Sequence, residues 1–176
     1  MIITTSAISS ASTKLADFVA SKEARGFTVE IVTESTWGGG TGNAAAENIR
    51  SWLKSNYISL GIKYVLLIGN PDPSSGDVPM KMCYPQNAQP AYKECPTDFY
   101  YAELTSNDWN RDGDGQYGEY YDDFLGNPPR VAEVAVGRIP YYGNISDLDH
   151  ILSKIIAYES APEITVSWRN NVMLPM

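Results

Sequence analysis

Apolar residues recur along the chain with two alternating spacings. Short runs rich in β-branched and apolar residues predict strands. The run Tyr64–Gly69 is apolar throughout and ends in glycine, which is typical of a central parallel strand buried on both faces. The predicted strands span residues 1–5, 27–33, 64–69, 96–104, 131–136 and 171–176.

Between these strands, apolar residues fall at helical spacing behind residues that cap helices. The first helix has an apolar face that includes Phe18, and it ends at a glycine. Asn43 caps the second helix, and Asn144 or Ser146 caps the third. Ser146 and Asp149, three residues apart, form a capping-box-like pair at the start of the third helix. Because strands alternate with helices, we predict an α/β fold with a doubly wound, mostly parallel sheet and flanking helices. Residues 1–176 are predicted to form a single α/β domain.

The stretch 108–119 has the register of a twelve-residue calcium loop. Side chains with oxygen atoms alternate along it, Gly113 stands where such a loop turns sharply, and a glutamate closes it. Ca²⁺ takes about 6 to 8 oxygen ligands, which alternate residues of a tight loop can supply. The predicted calcium ligands are Asp108, Asn110, Asp112, Asp114, Gln116 and Glu119.

A solvated acidic turn rich in aspartate and glycine is the alternative to a calcium loop. An unpaired group of carboxylates repels itself when no cation is bound, which favours the calcium interpretation. Asp122 and Asp123 follow the loop and either serve the ion or face water. The flanking segments are aromatic and look extended, so we do not predict a helix–loop–helix hand.

The charge of the chain limits its partners. It has 13 Lys and Arg residues against 21 Asp and Glu residues, which gives a formal net charge of −8. Nucleic acid is therefore not expected as a partner. No apolar run reaches the ~18 residues that a membrane-spanning helix requires, so no membrane span is predicted.

The two cysteines, Cys83 and Cys95, lie in one segment rich in proline, tyrosine and asparagine. A disulfide between them would close a loop of about a dozen residues and contribute ~3 kcal/mol in the chain-entropy model. Such a bridge is typical of oxidising, secreted surroundings, where calcium is also abundant enough to fill weak sites. We favour the bridge, and two unrelated free thiols are the alternative.

Three other residues are weaker candidates for chemistry. The single histidine, His150, lies off the apolar face of the third helix and is predicted to be solvated rather than paired with a cysteine. Arg138 lies at the carboxyl end of a strand, where the ligands of such sheets gather, and it either acts there or pairs with a carboxylate. Asp98 either serves the calcium loop or is an ordinary turn residue.

Five segments, in order, resemble the N-terminal half of the catalytic domain of gingipain-type cysteine peptidases. They are YVLLIGN, TDFYYAEL, the aspartate-rich loop, EVAVGRIP and the helix DLDHILSKIIAYE. The resemblance covers nearly the whole chain, and VGRIP with its following helix is the most specific part. It implies a caspase-like α/β fold in two subdomains, an endopeptidase, a secreted or cell-surface location and structural calcium.

The resemblance places no catalytic residue in this chain. In the family, the catalytic histidine of a Gly-His-Gly segment and the nucleophilic cysteine both belong to the second subdomain. The resemblance therefore implies that the C-terminal catalytic subdomain of the same polypeptide is a partner, and that protein or peptide substrates bind the full-length enzyme. We expect this chain to be inactive by itself.

A binding or adhesion module is the second hypothesis for the function. The chain would then be a calcium-stabilised α/β domain of a secreted assembly, and it would bind its partner through the long segment 70–96. Tyr84 and Tyr92 of that segment are suitable contact residues. A nucleotide- or flavin-binding domain is disfavoured because no phosphate-binding motif is present.

Overall fold

The computed structural model of the chain describes residues 1–85, 94–105, 109–124 and 130–170. Its strands, numbered in chain order, are β1 (Ile2–Ile3), β2 (Ile31–Val32), β3 (Tyr64–Gly69), β4 (Lys81–Cys83), β5 (Cys95–Thr97) and β6 (Ala135–Pro140). Its α-helices are α1 (Ser6–Ala11), α2 (Leu15–Glu23), α3 (Glu34–Trp37), α4 (Gly42–Asn56), α5 (Phe99–Ala102) and α6 (Ile145–Ser160). Shorter turns of other helix types cover Tyr120–Phe124, Glu163–Thr165 and Ser167–Asn170.

Four parallel strands form the main sheet in the order β2-β1-β3-β6. The chain leaves β1 toward β2 on one side and later reaches β3 and β6 on the other, so the sheet is doubly wound. Strand β3 lies inside the sheet, as its continuous apolar sequence predicts. A strand that has a neighbour on each edge and is covered on both faces contains few polar residues. The predicted α/β fold with a mostly parallel sheet and flanking helices is confirmed.

The chain divides into two compact units. The first unit holds residues 1–11 and 29–143, and its core includes Ile49 and Leu53 of α4 together with Leu67 of β3, all fully buried. A separate antiparallel pair, β4 and β5, also belongs to this unit. Burial of each such aliphatic side chain stabilises the folded state by about 1.5–3 kcal/mol. These positions on α4 and β3 therefore stabilise the core of the first unit.

The second unit holds residues 12–28 and the segment from Asn144 onward, and in it α2 and α6 pack together. The hydroxyl of Ser12 donates to the Asp149 carboxylate at 2.6 Å, and that of Thr13 donates to it at 2.7 Å. At the other end, Lys22 forms an ion pair with Glu159. These contacts join two helices that are far apart in sequence.

Helix α6 begins as predicted, but its expected capping pair is different. The side chain of Asn144 accepts a hydrogen bond from the backbone N–H of Ser146 at 3.1 Å, which confirms Asn144 as the cap. We expected Ser146 and Asp149 to form a capping-box-like pair. Asp149 instead accepts hydrogen bonds from the segment before α2, because carboxylates also satisfy the free N–H and O–H groups of a neighbouring helix start.

Several predicted elements differ from the observed ones. The predicted first helix, with Ser10 or Ser12 as its cap, corresponds to α2, which begins shortly after Ser12; the Ser12 hydroxyl accepts a hydrogen bond from the N–H of Leu15 at 3.0 Å. Helix α1 precedes it and was not predicted. Only Ile31–Val32 of the predicted strand 27–33 is a strand. The predicted strand 171–176 lies outside the described residues.

The predicted strand 96–104 is observed only at its start, which belongs to β5, whereas residues Phe99–Ala102 form the helical turn α5. Carbonyl groups at the end of such a turn need donors, and the guanidinium of Arg50 supplies them. Its Nε donates to the Tyr100 carbonyl at 2.9 Å, and its Nη2 donates to the Glu103 carbonyl at 3.0 Å. Because Arg50 and this turn are about fifty residues apart in the chain, the local sequence pattern does not indicate their contact.

Within the described part of the chain, no helix combines the length and the apolar character needed to cross a membrane.

Candidate metal site

The aspartate-rich loop starts from a buried anchor, Trp109. The indole Nε1 donates to Glu103 at 2.8 Å, and the Trp109 carbonyl accepts from the N–H of Gly118 at 2.7 Å, which closes the base of the loop. Gly113 has a φ of +78°, a left-handed conformation that favours glycine, and this agrees with its predicted place at the sharp turn.

Asp123 holds the two ends of the loop together from inside. This fully buried carboxylate accepts hydrogen bonds from the backbone N–H groups of Arg111 at 2.5 Å, Gly118 at 2.8 Å and Glu119 at 3.0 Å. Burial raises its pKa, and the three N–H donors act in the opposite direction by stabilising the ionised form. Asp123 therefore has a structural task in the loop.

Three carboxylates converge beside this base. Asp112, Glu119 and Asp122 each offer an oxygen atom, and these atoms lie within 4.8 Å of one another. Asp112 and Asp122 are exposed, whereas Glu119 is 1% exposed. Asp122 lies in the helical turn Tyr120–Phe124, three residues after Glu119. This turn places Asp122 on the same side as Glu119.

Glu119 is the residue that sets the electrostatics of the group. Both of its carboxylate oxygens are buried, and neither has a hydrogen-bond partner among the residues that the structure describes. Burial, together with the negative charges of Asp114, Asp122, Asp112 and Asp123, raises its pKa to about 7, and burial is the largest of these causes. A buried carboxylate without donors is costly, and a hard divalent cation is the partner that would satisfy it together with its acidic neighbours.

The remaining predicted ligands take part in hydrogen bonds within the loop. The side chain of Asn110 accepts from the N–H of Gly115 at 3.1 Å. The Asp114 carboxylate accepts from the backbone N–H of Gln116 at 2.7 Å and from its side-chain amide at 2.8 Å. These hydrogen bonds shape the turn. A ligand role for Asn110, Asp114 and Gln116 stays a prediction. Asp108 lies outside the described residues.

Tyr117 fastens the outer part of the loop to α4 and β4. Its hydroxyl donates to the Glu47 carboxylate at 2.5 Å. The ammonium group of Lys81, a buried residue, lies 3.2 Å from the centre of the Tyr117 ring and 3.1 Å from the same Glu47 oxygen. Burial lowers the pKa of Lys81, and Glu47 opposes this shift. No local sequence pattern indicates this contact, because its three members are far apart in the chain.

Arg138 and Asp98 pair with each other. The guanidinium donates two hydrogen bonds to the carboxylate, from Nε at 2.8 Å and from Nη2 at 2.7 Å. The same side chain also donates to the carbonyls of Val78 at 2.5 Å and Pro79 at 3.2 Å. The alternative in which Arg138 pairs with a carboxylate is the observed one, and Asp98 is not part of the three-carboxylate group.

Cys83 does not have the surroundings of a catalytic nucleophile. Cys83 is buried, and burial raises its pKa to about 12, whereas an active-site nucleophile needs a lowered pKa. Cys95 is exposed, and both residues are free thiols in the structure. His150 is exposed on α6, as predicted.

Comparison with known protein families gives a match that covers the chain. The model of Peptidase family C25 matches residues 1–175, which is essentially the whole chain. Neither the curated proteins nor the solved structures gave a match. Together with the resemblance of its ordered segments, this match shows that the chain belongs to peptidase family C25, the gingipain family of cysteine peptidases.

Proposed function

We propose that this chain is the calcium-binding N-terminal subdomain of a secreted gingipain-like cysteine endopeptidase. In the proposal, the full-length protein hydrolyses peptide bonds of protein substrates with a cysteine and a histidine from the C-terminal catalytic subdomain of the same polypeptide. The family match supports the peptidase part. The properties of Cys83 and His150 support a separate origin of the catalytic pair.

The observation that carries the calcium part is the buried carboxylate of Glu119, which has no hydrogen-bond partner in the described part of the chain. We propose that Glu119, Asp112 and Asp122 bind the ion, with Asn110, Asp114, Gln116 and Asp108 as further predicted ligands. Three carboxylates that approach within 4.8 Å form an oxygen-rich group that suits a hard cation. Ca²⁺ is favoured over Mg²⁺ because flexible glycine-rich loops adapt to its larger and more variable shell, whereas Mg²⁺ demands near-octahedral geometry.

The proposed role of the ion is structural. The loop contributes Trp109, Tyr117 and Glu119 to the packed interior of the first unit, and its base is tied by Asp123. A cation that neutralises Glu119 removes the repulsion which opposes this packing. Calcium would therefore hold the loop in place without entering the peptidase chemistry.

Calorimetric titration of the chain with Ca²⁺ at pH 8 tests the proposal. We expect binding by the wild type and a loss of affinity of at least about tenfold, or ~1.4 kcal/mol, in Glu119→Gln, because one charged ligand is removed. Glu23→Gln is the matched control, since it removes the same charge from an exposed position on α2. Equal affinity in all three proteins, or tighter binding of Mg²⁺ than of Ca²⁺, would contradict the calcium assignment.

The binding-module hypothesis stays untested. It relied on the segment 70–96, and residues 86–93, which include Tyr92, lie outside the described part of the chain. The structure does tie Tyr84 to the aspartate-rich loop, because its N–H donates to the Tyr117 carbonyl at 2.8 Å.

A further inference from the structure

The antiparallel pair β4 and β5 brings the two cysteines into direct register. Cys83 on β4 faces Cys95 on β5 as its cross-strand neighbour. Residues directly opposed in such a pair point to the same face, with Cβ atoms about 4.5–5.5 Å apart. A disulfide needs a Cβ separation of about 3.5–4.5 Å, so a small approach of the two strands is enough to form one.

We propose that Cys83 and Cys95 are a reversible disulfide site whose oxidation ties β4 to β5 beside the aspartate-rich loop. The chain has two cysteines, so an intramolecular bridge has one possible connectivity. The oxidant is a small-molecule disulfide such as oxidised glutathione, which acts by thiol–disulfide exchange. This inference rests on the strand register and does not depend on the calcium proposal.

The difference in exposure sets the order of the two steps. Exposed Cys95 attacks one sulfur of the oxidant as a thiolate, forms a mixed disulfide and releases one thiolate. Buried Cys83 then loses its proton, attacks the Cys95 sulfur and expels the second thiolate. The two protons of the cysteines end on the two released thiols, and the two electrons reduce the oxidant. Burial holds Cys83 in the thiol form, so its attack is the slower step.

The bridge would lie directly against the loop. A Cβ atom added at Gly118 would meet the Cys83 sulfur at 3.5 Å, so the loop backbone packs on this side chain. The next residue, Tyr84, donates its N–H to the Tyr117 carbonyl. A covalent tie at Cys83 therefore restrains the strand on which the loop rests, and it also restricts the unfolded chain.

Incubation of the reduced chain with oxidised glutathione at pH 8, in the presence of chelator, tests the inference. Peptide mapping without reduction should find Cys83 linked to Cys95, a mass lower by two hydrogen atoms and no remaining free thiol. The thermal midpoint of the oxidised protein should exceed that of the reduced protein by several degrees. The chelator keeps the outcome separate from any effect of calcium.

Single variants check the order of the steps. Cys83→Ala should stop at a glutathione adduct on Cys95, and Cys95→Ala should leave Cys83 unmodified in the folded protein. Peptide mapping of the wild type requires neither variant, so it tests the Cys83–Cys95 disulfide even if one of the variants fails to fold. Accumulation of a glutathione adduct on Cys95 in the wild type with Cys83 still free, or of covalent dimers, would overturn the proposal.

Discussion

Glu119 is the residue at which stability and binding conflict most directly. Its side chain is buried like a core residue, yet it is a carboxylate that has no hydrogen-bond donor among the described residues and has four acidic neighbours. A sequence chosen for stability alone would place an apolar residue there, because an unpaired buried charge is costly. A bound cation would offset the free-energy cost of this buried charge.

The pKa of Glu119 makes the stability of the metal-free protein depend on pH. The pKa is about 7 in the folded chain, above the ordinary value of about 4.3 that applies to the unfolded chain. Between these two values the folded state retains a proton that the unfolded state has lost. The stability contributed by this proton is fully present below about pH 4.3 and is lost as the pH rises through about 7.

Denaturant unfolding in the presence of chelator at several pH values checks this expectation. The free energy of unfolding of the wild type should fall between pH 5 and pH 8 more steeply than that of Glu119→Gln, which has no proton to lose at this position. Glu23→Gln should keep the wild-type slope. Identical slopes in the wild type and Glu119→Gln would show that Glu119 titrates normally.

The candidate site could be predicted from the sequence only in part. The order of Asn, Asp, Gly and Glu residues located the loop and named Asp112 and Glu119, because ligand spacing is a local property. It did not distinguish Asp122 from Asp123. The structure separates them, since Asp123 is buried and binds three backbone N–H groups, whereas Asp122 is exposed beside Glu119.

At the scale of elements, the ion pair of Arg138 and Asp98 joins β6 to the start of α5. Arg138 lies on β6 at the register position of Leu67, and Asp98 immediately precedes α5. The carbonyls of Val78 and Pro79 accept further hydrogen bonds from the guanidinium. The pair is mostly buried, with side-chain exposures of 9% and 24%, so loss of one partner leaves a charge poorly compensated.

Substitution of either partner should therefore destabilise the chain. Arg138→Met leaves the Asp98 carboxylate without its partner and should cost about 3 kcal/mol of unfolding free energy. The double variant Arg138→Met, Asp98→Asn should cost clearly less than the sum of the two single variants, because it removes both charges. Additive costs in urea unfolding would mean that the pair contributes no coupling energy.

Elements that depend on local pattern were predicted better than elements that depend on distant contacts. Strand β3 and helix α6 are long and strongly patterned, and both lie where they were expected. The turn α5 was predicted as strand, because its aromatic residues favour strands locally while Arg50 of α4 stabilises the turn. The pairing of β4 with β5 likewise depends on a contact that no local pattern records.

At the scale of the whole molecule, the family assignment depends on the order of segments rather than on a catalytic motif. The predicted gingipain resemblance is confirmed by a family model that matches residues 1–175. The fold class followed from the alternation of strands and helices. The division into two compact units was not predicted, because it depends on which helices pack together, and α2 and α6 lie more than a hundred residues apart.

The chain by itself should have no peptidase activity. Assays with a mixture of protein and peptide substrates, with reducing agent and calcium present, should give turnover equal to the blank. The Cys83→Ala and Cys95→Ala variants are assayed separately as controls, since neither substitution would affect a contaminating peptidase. Reproducible cleavage that disappears in one of these variants would show that the chain carries its own nucleophile.

Thermal unfolding of the wild type and of Glu119→Gln at pH 8, each with excess chelator and with excess Ca²⁺, tests the central claim most directly. In chelator, the variant should unfold at the higher temperature, because it lacks the buried charge. In calcium, the wild type should gain stability by RT ln(1 + [L]/Kd) and unfold at the higher temperature, while the variant gains much less. A reversal of the order between the two conditions is the predicted result. The same order in both, with no shift of the wild type by calcium, would contradict the account.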